Sequence, residues 1–436
     1  MITVTKFGGS SCATAEQFKK VKNIINADDR RKVVVVSAPG KRFSGDSKVT
    51  DLLYLLSAHI RYGVDYSHIS KLIEERYEEI RDQLSVAFDV KKEFSKIIAE
   101  FIAGAGEEYL VSRGEYLCAK LMAEYLGFAF VDASEVIFFN YDGTLNSAKS
   151  SEAIKSKFSE KVNIVVPGFY GSYPTGEVKV FSRGGSDISG SVMAMGVGAT
   201  KYENWTDVSG LLMTDPKIVK NPCGIEEITY DELRELSYMG ASVLHEETIF
   251  PIKDLNIPIY IKNTNAPEDR GTKICKTSDK NDCFITGIAG KKNFTAFNVV
   301  KKMTAKKLTV IREALNVFEK FKVNVEHIPT SIDNFGVIVE TKSVEKIIYD
   351  IILELKKIVG VISVEIDSDI ALVAVVGRNM VLKPGISGTV FSIFGKNNIN
   401  IKTIAQSTNE LSIIVGVANQ DFEKSIQAIY NNVTNK

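Results

Sequence analysis

Four stretches of this 436-residue chain combine residue types that do chemistry on anions. KFGGSS (6–11) sets Lys6 ahead of two bare backbone units, Gly8 and Gly9, and two hydroxyls, Ser10 and Ser11. Glycines after a strand let N–H groups close on an anion, and the lysine adds a full positive charge. A plain glycine turn beside a surface lysine has the same letters, and the spacing is not that of a Walker A loop. FSRGGSDISGSVMAMGVGA (181–199) places Arg183, two glycines, Ser186 and Asp187 at the head of a small-residue helix. Either Ser186 or Asp187 caps that helix, or the turn and the arginine together hold a carboxylate or phosphate. SRGEYLCAK (112–120) reads in two ways as well. Ser112 and Glu115 have capping-box spacing, or Glu115 is a buried carboxylate awaiting an ammonium group. WTDVSGLLMTDPK (205–217) is a polar loop after a strand, suited to ribose or adenine contacts or to a well-capped turn.

These stretches need a scaffold, and the hydrophobic pattern supplies one. Residues 2–6 (ITVTK) and 32–37 (KVVVVS) predict strands, the second a β-branched run suited to a parallel sheet covered on both faces. Helical periodicity fills much of 66–126, and Gly127 has the place of a C′ glycine. Short strands follow at 128–132, 163–166, 178–181 and 258–262. The alternation predicts an α/β domain with a mostly parallel sheet ending near residue 280, and the polar stretch 264–282 reads as a linker.

Beyond the linker the chain repeats itself. NVFEKFKVNVEHIPTSIDNFGVIV (316–339) slides onto SIFGKNNINIKTIAQSTNELSIIV (392–415) without a gap. Phe318 meets Phe394, Asn324 meets Asn400 and Ser331 meets Ser407. Each copy reads as helix, strand, turn, strand, too small for a comfortable core alone, so the two copies are expected to pack together.

Composition excludes several classes. Net charge is zero, so there is no footprint for nucleic acid or an anionic membrane surface. No apolar run approaches the roughly 20 residues of a membrane helix, and no basic-then-apolar secretory signal opens the chain. The five cysteines (Cys12, Cys118, Cys223, Cys275, Cys283) form no CxxC pair, which favours a reduced, cytoplasmic protein without a disulfide scaffold or a metal site.

KFGGSS, VVVSAPGK…VTDLL, SRGEYL, SRGGSD, WTDVSGLLMTDPK, GASVLH and IYIKNT, in this order, resemble the aspartokinases, and the repeat resembles their tandem ACT domains. The resemblance implies an amino-acid-kinase catalytic domain over 1–280 and ACT-type (βαββαβ) units over 281–366 and 367–436, with strands open to exchange between the units. It implies transfer of a phosphoryl group from ATP to the side-chain carboxylate of L-aspartate, with Mg²⁺ carried mainly by the nucleotide phosphates. By position, Lys6 and Asp187 match catalytic residues, and Ser37, Thr50, Glu115, Arg183 and Ser186 match aspartate contacts. Gly8, Gly9, Ser10, Thr206, Asp207, Lys217 and Lys262 match nucleotide contacts. Departures are Ser182 for glycine, Lys217 for arginine, Leu212 for an aromatic and LHEET (244–248) for LHPxT. An aspartate carboxylate is already ionised at neutral pH, so no general base is required and His245 is expected to be structural. Asn324, Glu326 and Ser331 match effector-lining positions of lysine-sensitive members. Lys402 stands opposite Glu326 in the second copy, so a carboxylate facing an ammonium favours L-lysine over threonine as the effector. A homodimer or dimer of dimers through the ACT units is implied too. Two alternatives remain at this point: a kinase of the same fold with another acid substrate, and a catalytically silent amino-acid sensor.

Overall fold

The structure is a computed structural model and describes every residue except 159–161, 183, 242, 243, 245, 279–283, 305, 379, 381–383, 407–410, 435 and 436. Arg183, His245, Cys283 and Ser407 therefore lie outside the described residues. The chain forms two compact units: Met1–Leu211 with Gly224–Tyr230 and Val243–Ser278, and Leu212–Cys223 with Asp231–Ser242 and Asp279–Lys436.

In the first unit, among the described residues, eight strands make one sheet. They are β1 (Thr3–Phe7), β2 (Arg31–Val36), β3 (Ala129–Phe130), β4 (Ile164–Pro167), β5 (Lys201–Thr206), β6 (Glu227–Thr229), β7 (Ile259–Asn263) and β8 (Thr272–Cys275). Their order is β6-β8-β7-β5-β1-β2-β4-β3, parallel except for β7 against β8. Val33, Val34, Val35 and Val36 are fully buried, as a run covered on both faces requires. From β1 the chain builds one side of the sheet through β2, β3 and β4, then crosses to β5 on the other side. The order therefore reverses between β1 and β5, the place where open α/β sheets bind ligands beyond their strand ends.

Among the described residues, seven helices accompany this sheet: α1 (Ala15–Asn26), α2 (Val49–Arg61), α3 (Ser67–Leu84), α4 (Val90–Ile102), α5 (Glu107–Leu126), α6 (Ser147–Lys157) and α7 (Gly185–Gly196). Phe18, Val21, Ile24 and Ile25 give α1 its apolar stripe, and the Thr14 hydroxyl caps it by accepting from Gln17 N at 3.3 Å. Gly127 ends α5 in the left-handed region, φ 72°, as its position predicted.

Three expectations need correction. TKIC, inside the stretch read as a linker, is strand β8, held between β6 and β7. The run at 178–181 pairs with Tyr170–Ser172 in a separate hairpin and not with the main sheet. In the first repeat copy, 323–331 forms isolated bridges, His327 to Ile338 and Thr330 to Phe335, in place of a regular strand.

In the second unit, among the described residues, β9 (Gly287–Lys301), β10 (Asn334–Glu340), β11 (Val361–Val376), β12 (Thr403–Gln406) and β13 (Ser412–Val417) form one antiparallel sheet, ordered β10-β9-β11-β13-β12. Residues 294–300 of β9 pair with β10 and 294–301 with 361–370 of β11, whereas 287–291 pair with 372–376, beside β13. One long strand thus serves both copies. The repeat is real in atomic detail. The helices Lys307–Lys320 and Ile386–Lys396 end in the same Schellman motif. Val323 N bonds Phe318 O at 3.0 Å and Lys322 N bonds Glu319 O at 2.9 Å. In the second copy Ile399 N bonds Phe394 O at 3.0 Å and Asn398 N bonds Gly395 O at 3.1 Å. Lys322 and Asn398 both take the left-handed conformation, φ 57° and 51°.

Candidate active site

Parallel strands deliver their last residues to one edge, so Lys6, Ser37, Asn204 to Asp207, and Lys262 gather at the carboxyl ends of β1, β2, β5 and β7. Lys6 is 7% exposed and its ammonium lies 2.5 Å from Asp187 Oδ1. Asp187 sits in the first turn of α7, whose N-cap is Gly184, left-handed at φ 58° with no side-chain cap bond. Neither Ser186 nor Asp187 caps the helix, so that reading falls. Ser186 is buried, and Thr50 is half-buried in the first turn of α2.

The glycine turn is held by its backbone. Gly8 N donates to Trp205 O at 3.0 Å, so this amide is already used. What Gly8 contributes is room: a Cβ there would come within 3.5 Å of Lys6 Nζ. Gly9 and Gly40 touch backbone to backbone, Gly40 N donating to Gly9 O at 2.8 Å, and a Cβ on Gly40 would lie 2.7 Å from Gly9 C. Ser10 is half-buried in the 3-10 turn Gly9–Cys12.

Glu115 lies well inside α5, which begins at Glu107, so the capping-box reading is also overturned. Ser112 instead donates to Tyr109 O at 2.6 Å. Gly114 lets α5 press against the turn after β2, since a Cβ there would meet Ala38 Cβ at 2.9 Å. This brings Glu115 under Ala38, whose N–H donates to its carboxylate. Burial pushes the Glu115 carboxyl up to about 8, against the pull of Ala38 N–H, Arg113 and Lys6. Its Oε2 is buried and has no hydrogen-bond partner among the described residues. A buried carboxylate oxygen without a donor is costly and calls for one.

At the end of β5, the Thr206 hydroxyl donates to Asp207 Oδ1 at 3.1 Å, and Asp207 is exposed. The Lys262 ammonium stands 5.1 Å from the centre of the Trp205 ring, and burial lowers its pKa. Lys217 belongs to the segment Leu212–Cys223 of the second unit, where it is exposed and its N–H donates to Asp215 Oδ1 at 2.8 Å.

In the second unit, Asn324 is exposed and helps line a depression of about 410 Å³ with Leu315, Phe318, Glu319, Lys322, Val323 and Val325. Glu326 and Ser331 do not line it. Glu326 N donates to Ile338 O at 2.8 Å, and its carboxylate accepts from the Tyr238 hydroxyl. Ser331 is exposed, with its N–H on Asn334 O at 2.9 Å. Lys402 is engaged by Asp367 Oδ2 at 3.1 Å and by Asp369 O at 2.6 Å.

Sequence reasoning missed Asn204. Its amide donates to Asp187 Oδ1 at 2.9 Å and accepts from Lys6 Nζ at 3.4 Å. The available signal was a polar residue in the interior of a strand that must be buried, where it needs partners.

The family model for the amino acid kinase family matches residues 1–263, and one for the ACT domain matches 373–433. Aspartokinase 3 of Bacillus subtilis (strain 168) is 33% identical over 98% of this chain and 97% of its own length. The crystal structure of Clostridium acetobutylicum aspartate kinase, described as an allosteric enzyme, is 47% identical and superposes with a TM-score of 0.92, covering 99% of each chain. Escherichia coli aspartokinase III shares the fold in two crystal structures. With aspartate and ADP it is 23% identical at a TM-score of 0.75, covering 100% of both chains. With lysine and aspartate it is 24% identical at 0.77, covering 99% of both. With a parallel sheet whose switch point carries Lys6 and Asp187, a paired regulatory sheet, and these relatives along its whole length, the chain belongs to the aspartokinases, ATP-dependent kinases of the amino acid kinase family that act on aspartate.

Proposed function

We propose that the strand-end cluster transfers the γ-phosphoryl group of ATP to the side-chain carboxylate of L-aspartate as follows. Glu115 receives the α-ammonium of aspartate, Arg183 grips its α-carboxylate, and Ser37, Thr50 and Ser186 supply further hydrogen bonds. Held at both α-groups, the substrate can point only its side-chain carboxylate at the nucleotide. Gly9, Ser10 and Lys262 cradle the phosphates, Gly8 leaves the space they enter, and Thr206 and Asp207 take the ribose and base. Lys6 offsets the charge that accumulates as an anion approaches a polyanion, the main barrier in a loose phosphoryl transfer. The observation that carries this reading is Glu115, a buried carboxylate whose Oε2 has no partner among the described residues, beside the Lys6 site.

Among the described residues no three His, Cys, Asp or Glu side chains converge as a metal cluster. A Mg²⁺ ion would come in on the nucleotide phosphates, and the Asp187 carboxylate, beside Lys6 at the strand ends, would hold one of its waters. The ion would supply further charge neutralisation at the phosphates.

We take residues 1–280 as catalytic and 281–366 and 367–436 as regulatory, in a cytoplasmic homodimer or dimer of dimers. No helix among the described residues is long and apolar enough to cross a membrane. The regulatory ligand we propose is L-lysine, its side-chain ammonium drawn to Glu326. A hydroxylamine-trapping assay tests both parts, with aspartate, glutamate and acetylglutamate as acceptors and lysine and threonine as inhibitors. Turnover confined to glutamate or acetylglutamate, or inhibition by threonine alone, overturns the corresponding part.

A further inference from the structure

Lys6 and Asn204 are register partners on adjacent parallel strands, so their side chains leave the sheet on the same face, at the switch point. Asn204 is 4% exposed and belongs to a strand interior, where an amide is costly unless it is satisfied on both sides. It is satisfied, and in one orientation only. Asn204 Nδ2 donates to Asp187 Oδ1 at 2.9 Å, and Asn204 Oδ1 accepts from Lys6 Nζ at 3.4 Å. The reverse flip would set an amide nitrogen against an ammonium and an amide oxygen against a carboxylate. The neighbouring Tyr202 hydroxyl donates to the Asp187 backbone carbonyl at 3.1 Å, so the aspartate is fixed at main chain and side chain alike.

We propose that Asn204 is a positioning residue for phosphoryl transfer: it bridges the Asp187–Lys6 pair and fixes its orientation, so that the ammonium keeps a donor aimed at the phosphates. A lysine has three N–H donors. Asp187 takes one and Asn204 a second, which leaves one, and Nζ stands beside the bare backbone of Gly8. Without Asn204, Asp187 and Lys6 have no third group to fix their rotamers. The ammonium, already 2.5 Å from Asp187 Oδ1, is then free to turn with that carboxylate away from the nucleotide. Asn204 touches neither substrate nor nucleotide in this account, and it acts through its two partners. The inference rests on the roles proposed above for Lys6 and Asp187.

The test uses the full-length enzyme with N204A, N204D, D187N, K6A and the N204A/D187N double variant, with thermal unfolding of each. N204A is expected to lower kcat about 10–100-fold, the loss typical of a misplaced catalytic group, while aspartate KM stays within about twofold. N204D keeps the shape and replaces the amide donor by a second carboxylate on Asp187. It is expected to be impaired above neutrality and to regain rate as pH falls, because a proton shared between the carboxylates restores the missing donor. The wild-type kcat should show no such rise. N204A and D187N should cost together little more than the larger of the two alone. If K6A leaves kcat within about threefold, the parent reading fails and this inference with it. If K6A is crippling while folded N204A stays within threefold, or if folded N204D shows no gain at low pH, this inference alone fails. Should N204A not fold, the N204D profile decides.

Discussion

Titrating aspartate affinity against pH, in the wild type and in Glu115→Gln, probes the site where its chemistry is most unusual. The free carboxyl titrates at about 8, and only its ionised form can pair with an ammonium group. At pH 7 about one molecule in ten is then competent, so the apparent dissociation constant sits about tenfold above its limit. Below pH 8 it should rise by about tenfold per pH unit, and above pH 8.5 it should level off. Calorimetry in buffers of different ionisation enthalpy should show nearly one proton released per aspartate bound at pH 7. Glu115→Gln should abolish both slope and release. Its affinity at pH 8.5 should be lower by about 10–100-fold, the worth of one charge-assisted hydrogen bond. Stability changes in the opposite sense. The folded-state pKa is raised above 4.5, so the folded protein binds this proton more tightly than the unfolded chain does. Stability is therefore full below about pH 4.5 and is lost as pH rises through 8. Glu115→Gln should melt increasingly above the wild type over that window. An affinity flat between pH 6 and 8, or a Gln variant that follows the wild-type slope, would refute the assignment of Glu115 to the substrate ammonium.

Lys6→Ala should lower kcat by about 10²–10³-fold with little change in aspartate KM; a loss of a few-fold would mark a lysine outside the transition state. Gly40→Ala drives a Cβ to 2.7 Å from the Gly9 carbonyl carbon, so unfolding experiments should show a loss of about 1–3 kcal/mol together with a raised KM for ATP. Glu326→Gln should weaken lysine inhibition at least tenfold, about 1.4 kcal/mol, and leave uninhibited kcat nearly unchanged, because the amide oxygen still accepts from Tyr238. Equal inhibition of variant and wild type would remove Glu326 from the effector site.

Much of this was legible in the letters because it rests on local rules. A β-branched run has one comfortable home, a sheet buried on both faces, and β2 is there. Gly127 ends α5 because only glycine enters the left-handed region without cost. The repeat held to the level of single hydrogen bonds. What failed was decided by tertiary contact. α5 begins at Glu107, ahead of Ser112, and Gly114 in its middle is explained by close contacts with Ala38 and Leu53. TKIC is four residues with a lysine, too short and polar to announce a strand, and it is one because two neighbours pair with it. Ser112–Glu115 had the spacing of a cap, but a cap depends on where a helix begins. Asn204 had no motif, and its meaning lies in two partners from distant parts of the chain.

Strand β9 has a consequence for synthesis. Residues 287–291 leave the ribosome first, yet their partners at 372–376 come some 80 residues later and are flanked in turn by β13. At about 5–20 residues per second the amino-terminal half of β9 waits several seconds as an unpaired edge. Such an edge is a template for wrong pairing, with a neighbouring nascent chain among the candidates. A stop codon between the two copies would strand it permanently. The sheet can close only from its far end, so the last translated part of the chain completes the strand with which the regulatory half began.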